Sequence, residues 1–318
     1  MPHTQKNPKK PKGIGCEMKV LADGETNIFL HLEIVRQANE HPDLKFAANN
    51  DATIKGLTVK QPWHCAVTLR AAEHYFDTHR TVIGDSAFAS VTTAFWLFIA
   101  GLNFIGIVKQ CSKWYPKDLL TSLFERMTPS DRKGNFRVCV AEKNLHPENR
   151  VPVKMNAVAW SSSSKMSVLK KIISTCGVTS EGVPHKKRGI EEIVIDGVTM
   201  KKEIQIPIDR PKIVETLFKS FSAVDIHDHY RQGILRIEPA WATKNWRKRI
   251  FSTVLGMHCT DALFAYFFDC FLHDTESMCF NVFVSKIAKD LIFNQSRQMI
   301  PRVSTPSIDN QVRVLLFS

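Results

Sequence analysis

The eight residues Thr81 to Phe88, TVIGDSAF, constrain the fold more than any other stretch of the chain. A β-branched run ends there on an acidic residue and passes at once into small and hydroxyl residues, the pattern of a strand that delivers a carboxylate to a loop. Beyond Asp85 no charged residue occurs from Ser86 to Val108. By length alone that run would serve as a membrane span. Its hydroxyl and amide residues (Ser86, Ser90, Thr92, Thr93, Asn103) and the break at Gly101 point instead to a buried helix followed by a buried strand. Ser90 is placed to cap the helix, which runs to about Gly101, and NFIGIVK, Asn103 to Lys109, reads as the strand.

Upstream, Glu17 to Asp23 is strand-like, Gly24 and Glu25 turn the chain, and Ile28 to Val35 alternates apolar and polar residues, so a β-hairpin with Asp23 near its turn is predicted. A third strand is expected over Thr53 to Val59 and a helix over Cys65 to Phe76. From Gln110 to about Arg210 prolines, a serine run and short alternating pieces predict a mostly β insertion. Past Pro211 the texture is helical, first from Ile213 to about Gln232 and then from about Thr243 to Leu272 after the Pro239 break.

The 318 residues carry 43 Lys plus Arg against 31 Asp plus Glu, a net charge of +12, which favours a polyanionic partner such as DNA, RNA or an acidic membrane surface. The eight cysteines are dispersed, mostly among apolar neighbours, and no charged-then-apolar segment opens the chain, which fits reduced thiols in an intracellular protein. His258, Cys259, Cys270, His273 and Cys279 lack a finger spacing, so no zinc site is expected.

Three aspartates stand where carboxylates for chemistry would stand: Asp23 at the hairpin turn, Asp85 after its strand, and Asp225 in FSAVDIHD. Two divalent metals roughly 3.5 to 4 Å apart can activate an attacking oxygen and stabilise a leaving one in phosphodiester chemistry, and three carboxylates on rigid elements suffice to hold them. Each aspartate also has a structural reading. Asp23 before Gly24 is a common turn pair, Asp85 is placed to cap the following helix, and Ser222 with Asp225 fits a capping box. Together, in order along a mixed sheet and a later helix, they favour metal. Asp228 shares a helix face with Asp225 and is either a further ligand or a partner of Arg231; His227 and His229 read as helix-face residues without ligand duty.

Cationic and aromatic residues interleave in Trp241, Lys244, Trp246, Arg247, Lys248, Arg249 and Phe251, a face able to lie along phosphates. Lys186, Lys187 and Arg188, after His185, repeat the signal more weakly.

GDSAFASVTTAFWL, FSAVDIHDHYRQG, TKNWRKRIFSTVLGMHCTDALFAYFF and the hairpin GCEMKVLADGETNIFLHLEI together resemble the piggyBac-like DNA transposases and the transposon-derived proteins related to them. The resemblance implies a ribonuclease-H-like α/β core, a mixed sheet flanked by helices, with a mostly β insertion before the last helices. It implies Asp23, Asp85 and Asp225 as catalytic residues that hold Mg2+ or Mn2+ together with Asp228. It also implies DNA as partner, a homodimer, no membrane, and a nuclear location. The expected organisation is a disordered or edge-hugging leader at 1–16, the first part of the core at 17–109, the insertion at 110–210, helical completion at 211–295 and a tail at 296–318. Three departures stand out. Only residues 1–22 precede the first aspartate, where the family has dimerisation and DNA-binding elements, and no cysteine-rich tail follows Gln295. An aromatic often found two residues after the second aspartate is here Ala87, with Phe88 next. The expectation is therefore a transposase core, truncated and either active or inactive, against the alternative of a non-catalytic DNA-binding descendant.

Overall fold

The computed structural model describes residues 4–6, 14–35, 51–60, 62–109, 113–146, 148, 152–177, 179–195, 198–241, 243–293 and 314–317. The chain forms two compact units, Met1–His41 with Ser220–Ser318, and Pro42–Lys219. The rest of the expected leader and residues 296–313 of the expected tail lie outside the described residues.

In the first unit β1 (Thr4–Lys6) and β2 (Ile14–Cys16) pair antiparallel. This corrects part of the expected disordered leader: ladder hydrogen bonds are made by the backbone, and a lysine-rich composition does not forbid them. β3 (Met18–Asp23) and β4 (Phe29–Ile34) form the predicted hairpin. Its turn closes through Asn27 at φ 62°, a left-handed conformation that asparagine tolerates.

The second unit begins with β5 (Asp51–Ile54) and β6 (Leu57–Lys60), antiparallel about Lys55 and Gly56 at φ 48° and 82°. The single strand expected over Thr53 to Val59 is therefore a hairpin, because two successive positive φ values make the tight turn that matches strand twist. α1 (Trp63–Ala72) runs into a short 3-10 turn, Glu73–Tyr75, where a helix was predicted. β7 (Thr81–Gly84), α2 (Val91–Ile99) and β8 (Asn103–Ile107) follow, with β7 and β8 parallel and Gly84 opposite Gly106. The charge-free run is thus a helix and then a strand, and the Ser90 hydroxyl caps the helix by accepting from Thr93 N at 3.0 Å.

α3 (Lys117–Glu125) and α4 (Pro129–Arg132) lead to β9 (Phe136–Lys143), β10 (Val153–Ser161) and β11 (Leu169–Ser174). These three pair antiparallel in sequence, and β11 joins β8, giving a mixed five-stranded sheet in the order β7-β8-β11-β10-β9. Three strands from the expected insertion therefore extend the sheet that β7 and β8 begin. α2 packs over β8, β10 and β11, and α3 over β9 and β10. Phe95, Trp96, Leu97, Phe104 and Phe124 are buried between these layers, each side chain contributing about 1.5–3 kcal/mol on burial. The buried Tyr115 hydroxyl lies 3.1 Å from the carbonyls of both Val158 and Ile172, tying β10 to β11. β12 (His185–Ile195) and β13 (Val198–Ile208) make a separate two-stranded ribbon, and α5 (Lys212–Ser220) closes the unit.

The chain then returns to the first unit. The helix expected over 213–232 is interrupted at Phe221 and Ser222; α6 (Ala223–Asp228) follows and continues into a π-helical stretch, His229–Leu235. α7 (Ile237–Ala240), α8 (Trp246–Leu272) and α9 (Phe280–Phe293) come next, and β14 (Val314–Phe317), from the expected tail, pairs antiparallel with β3 so that Leu315 faces Asp23. Among the described residues α8 is long and apolar enough to cross a membrane by length and composition. Its buried Ser252, Gly256, Thr260, Leu263 and Phe264 recur at helical spacing, and it packs on α6, α7 and α9.

Candidate functional site

Two of the three aspartates lie in the first unit. Asp23 ends β3, nearly buried, and its Oδ2 accepts from Thr26 N at 2.9 Å and Thr26 Oγ1 at 2.6 Å. The turn role is therefore real: the carboxylate organises the hairpin loop through one of its oxygens. Asp225 sits in the first turn of α6, which packs on β3. Ser222 precedes the helix without a side-chain capping hydrogen bond, so the capping box is not formed, and Asp225 is exposed. Asp228, one turn on, has its Oδ1 held by Arg231 from two sides, Nε at 3.1 Å and Nη2 at 2.7 Å. The buried Arg231 also donates to Glu238, so its guanidinium joins α6, the π-helical stretch and α7.

Sequence reasoning passed over a link that seats α6. His227 is fully buried, its ring stacked on Phe29 at 3.5 Å and 17°. Its Nε2 lies 3.1 Å from Asp261 Oδ1, which also accepts from Phe29 N at 2.8 Å. One carboxylate oxygen thus holds the first residue of β4 and the helix of Asp225 at once. His227 Nδ1 is buried and has no hydrogen-bond partner among the described residues. The available signal was Asp261, an acid between Thr260 and the apolar ALFAYFF run of α8. A charge placed there needs a buried partner.

Asp85 belongs to the second unit. It leaves β7 directly after Gly84, and a Cβ on Gly84 would stand 3.0 Å from two ring carbons of Phe104, while one on Gly106 would stand 2.6 Å from Ala89 Cβ and 2.7 Å from Phe104. The glycine before the aspartate is thus explained by the Phe104 ring lying over both strands. Asp85 Oδ1 accepts from Ala87 N at 2.7 Å, and its carbonyl accepts from Ala89 N at 2.9 Å. It shapes the loop and does not cap α2. At the cap of α2, His64 Nε2 lies 3.0 Å from the Ser90 hydroxyl, and burial together with the charge of Lys109 holds its imidazole below the ordinary pKa.

The cationic residues are exposed in both units. Lys186, Lys187 and Arg188 lie at one end of the β12–β13 ribbon, with Arg188 Nε 3.5 Å from Glu203 Oε1. Lys244, Arg247, Lys248 and Arg249 surround the start of α8, capped by Asn245, whose side chain accepts from Arg247 N at 3.0 Å. Half-buried Trp246 carries the Arg247 guanidinium over its ring at 5.3 Å. No acidic residue occupies the first turn of α8, although acids are what the positive end of a helix dipole favours.

Within neither unit do three or more His, Cys, Asp or Glu side chains among the described residues cluster closely enough to hold a metal. The seven described cysteines are free thiols, and Cys111 lies outside the described residues.

No curated protein sequence matches the chain. A cryo-EM structure of a piggyBac transposase synaptic complex with hairpin DNA is similar in fold, with a TM-score of 0.60 at 13% identity over 95% of this chain. The chain spans about half of that protein, 52% of its length. A family model described as Transposase IS4 matches residues 1–262, most of the sequence, and the chain therefore belongs to the transposase IS4 family, with a mixed α/β fold of piggyBac type.

Proposed function

We propose that the chain is a transposon-derived DNA transposase core that cleaves and transfers DNA strands with Mg2+ or Mn2+, acting in the nucleus on DNA. The family match over 1–262 carries this reading, and the packing of the Asp225 helix on the Asp23 strand supports it. Asp23, Asp85 and Asp225 would hold the metal, with Asp228 contributing whatever Arg231 does not claim. Hard carboxylate oxygens fit such a cation: Asp23 and Asp85 each spend one oxygen on a turn, and Asp225 is exposed. When bound, the metal supplies charge neutralisation and a more acidic water for phosphodiester cleavage. The chain's own residues do the rest. The turns at Thr26 and Ala87 fix the rotamers of Asp23 and Asp85, the His227–Asp261 link fixes the helix of Asp225, and Lys244, Trp246, Arg247, Lys248 and Arg249 bind the DNA backbone with Lys186, Lys187 and Arg188.

Titration calorimetry with MgCl2 and MnCl2 on wild-type protein and Asp85→Asn tests the reading, followed by cleavage of duplex DNA. Binding lost in the variant supports a shared site. Equal heats in both proteins would remove the aspartates from catalysis.

A second reading, a DNA-binding descendant without catalysis, draws on the turn bonds of Asp23 and Asp85 and on the cations at α8. It predicts unchanged duplex affinity in Asp23→Asn and no cleavage by either protein.

A further inference from the structure

Trp241 and Phe251 are 51% and 59% exposed, yet their rings lie nearly parallel, 6.3 Å apart between centroids and 10° between planes. Large aromatic side chains are normally the first to be buried, and here two of them share an outward-facing stack. Trp241 stands at the end of one helix and Phe251 within another. Trp241 N donates to the Ile237 carbonyl at 2.9 Å and so closes α7, which Glu238 ties to buried Arg231. Phe251 stands one turn after Arg247 and Lys248 on α8, placing cations on its own helix face at i−4 and i−3. Exposed Lys244 lies in the segment joining the two helices. Aromatic faces rimmed by cations, with no acid in the first turn of α8, match the two halves of an unpaired nucleotide, a flat base and an anionic phosphate.

We propose that the Trp241–Phe251 pair is a stacking platform for an unpaired base of DNA, with Arg247, Lys248 and Lys244 holding the adjoining phosphates. A duplex keeps its bases stacked on one another and offers the rings only its backbone, whereas a frayed end, a hairpin tip or a single strand can lay a base on them. The platform thus adds to the DNA-binding reading above, on which it rests, a preference for strands out of the helix.

The test is fluorescence anisotropy of the full chain with a labelled oligo-dT of about 15 nucleotides and with a blunt duplex of the same length. Base–aromatic stacking is worth about 1–3 kcal/mol per base, so Trp241→Leu is expected to weaken oligo-dT binding about tenfold while changing duplex binding less than about twofold. Trp241→Phe keeps a ring and is expected to retain most of the single-strand affinity. If Trp241→Leu does not fold, Phe251→Leu against Phe251→Tyr poses the same contrast from the second ring. A parallel fall in both affinities, or no change in either, overturns the platform. Asp85→Asn separates the two proposals: lost metal binding with intact oligo-dT binding concerns only the aspartates, and equal oligo-dT binding by wild type and Trp241→Leu sinks only the platform.

Discussion

At the scale of single residues, Asp261 carries more than its place in an apolar helix advertises. Its Oδ1 serves both Phe29 N and His227 Nε2, so Asp261→Ala removes the partner of a half-buried amide and of a buried imidazole and is expected to destabilise the protein by about 2 kcal/mol. Asp261→Asn keeps an acceptor and is expected to cost about half of that; urea midpoints at constant slope read both. His64 sets a pH dependence of definite sign. Its folded pKa is lowered by burial and by Lys109, so below the ordinary value of about 6.5 the unfolded chain binds more protons. Stability therefore falls as pH drops from about 6.5 towards the lowered folded value. His64→Gln is expected to flatten that part of the profile, visible in thermal melts between roughly pH 5 and 8.

At the scale of elements, the β7–β8 pair is built around one ring. Phe104 lies against both Gly84 and Gly106, so Gly106→Ala is expected to cost about 1–3 kcal/mol by overpacking. Phe104→Leu in the same chain should return part of that loss, because the two side chains compete for one space, and a double-mutant cycle measures the coupling. The start of α8 offers the opposite sign. Arg247 and Lys248 oppose the helix dipole, and Lys248→Glu is expected to raise stability by a few tenths of a kcal/mol. The same change should weaken duplex binding severalfold, through a lost phosphate contact and an added like charge. Higher stability with unchanged or tighter duplex binding in that variant would show that Lys248 makes no DNA contact.

For the whole molecule, a net charge of +12 makes DNA affinity a steep function of salt. Each phosphate contact contributes about 0.9 to the slope of log affinity against log salt. Lys186→Ala should lower that slope by about 1, and Arg188→Ala by less, because Glu203 already sits 3.5 Å from its guanidinium. Anisotropy titrations at several NaCl concentrations measure both.

Local pattern alone determined the elements that carry the aspartates. The hairpin of Asp23, the buried β7–α2–β8 run with its Ser90 cap, and the helices after Pro211 were all legible, because side-chain period and capping chemistry act over a few residues. The Lys55–Gly56 turn was missed where two short strands read as one, and the break at Phe221 and Ser222 carries no glycine or proline to mark it. Tertiary structure decided the rest: that β9 to β11 extend the sheet of β7 and β8, that β14 pairs with β3, and that Asp261 reaches back 34 residues to His227. Those pairings join segments far apart in the chain, and their free energy comes from shared burial and backbone hydrogen bonds. Periodicity marks which face of an element is buried, and leaves open which distant element covers it.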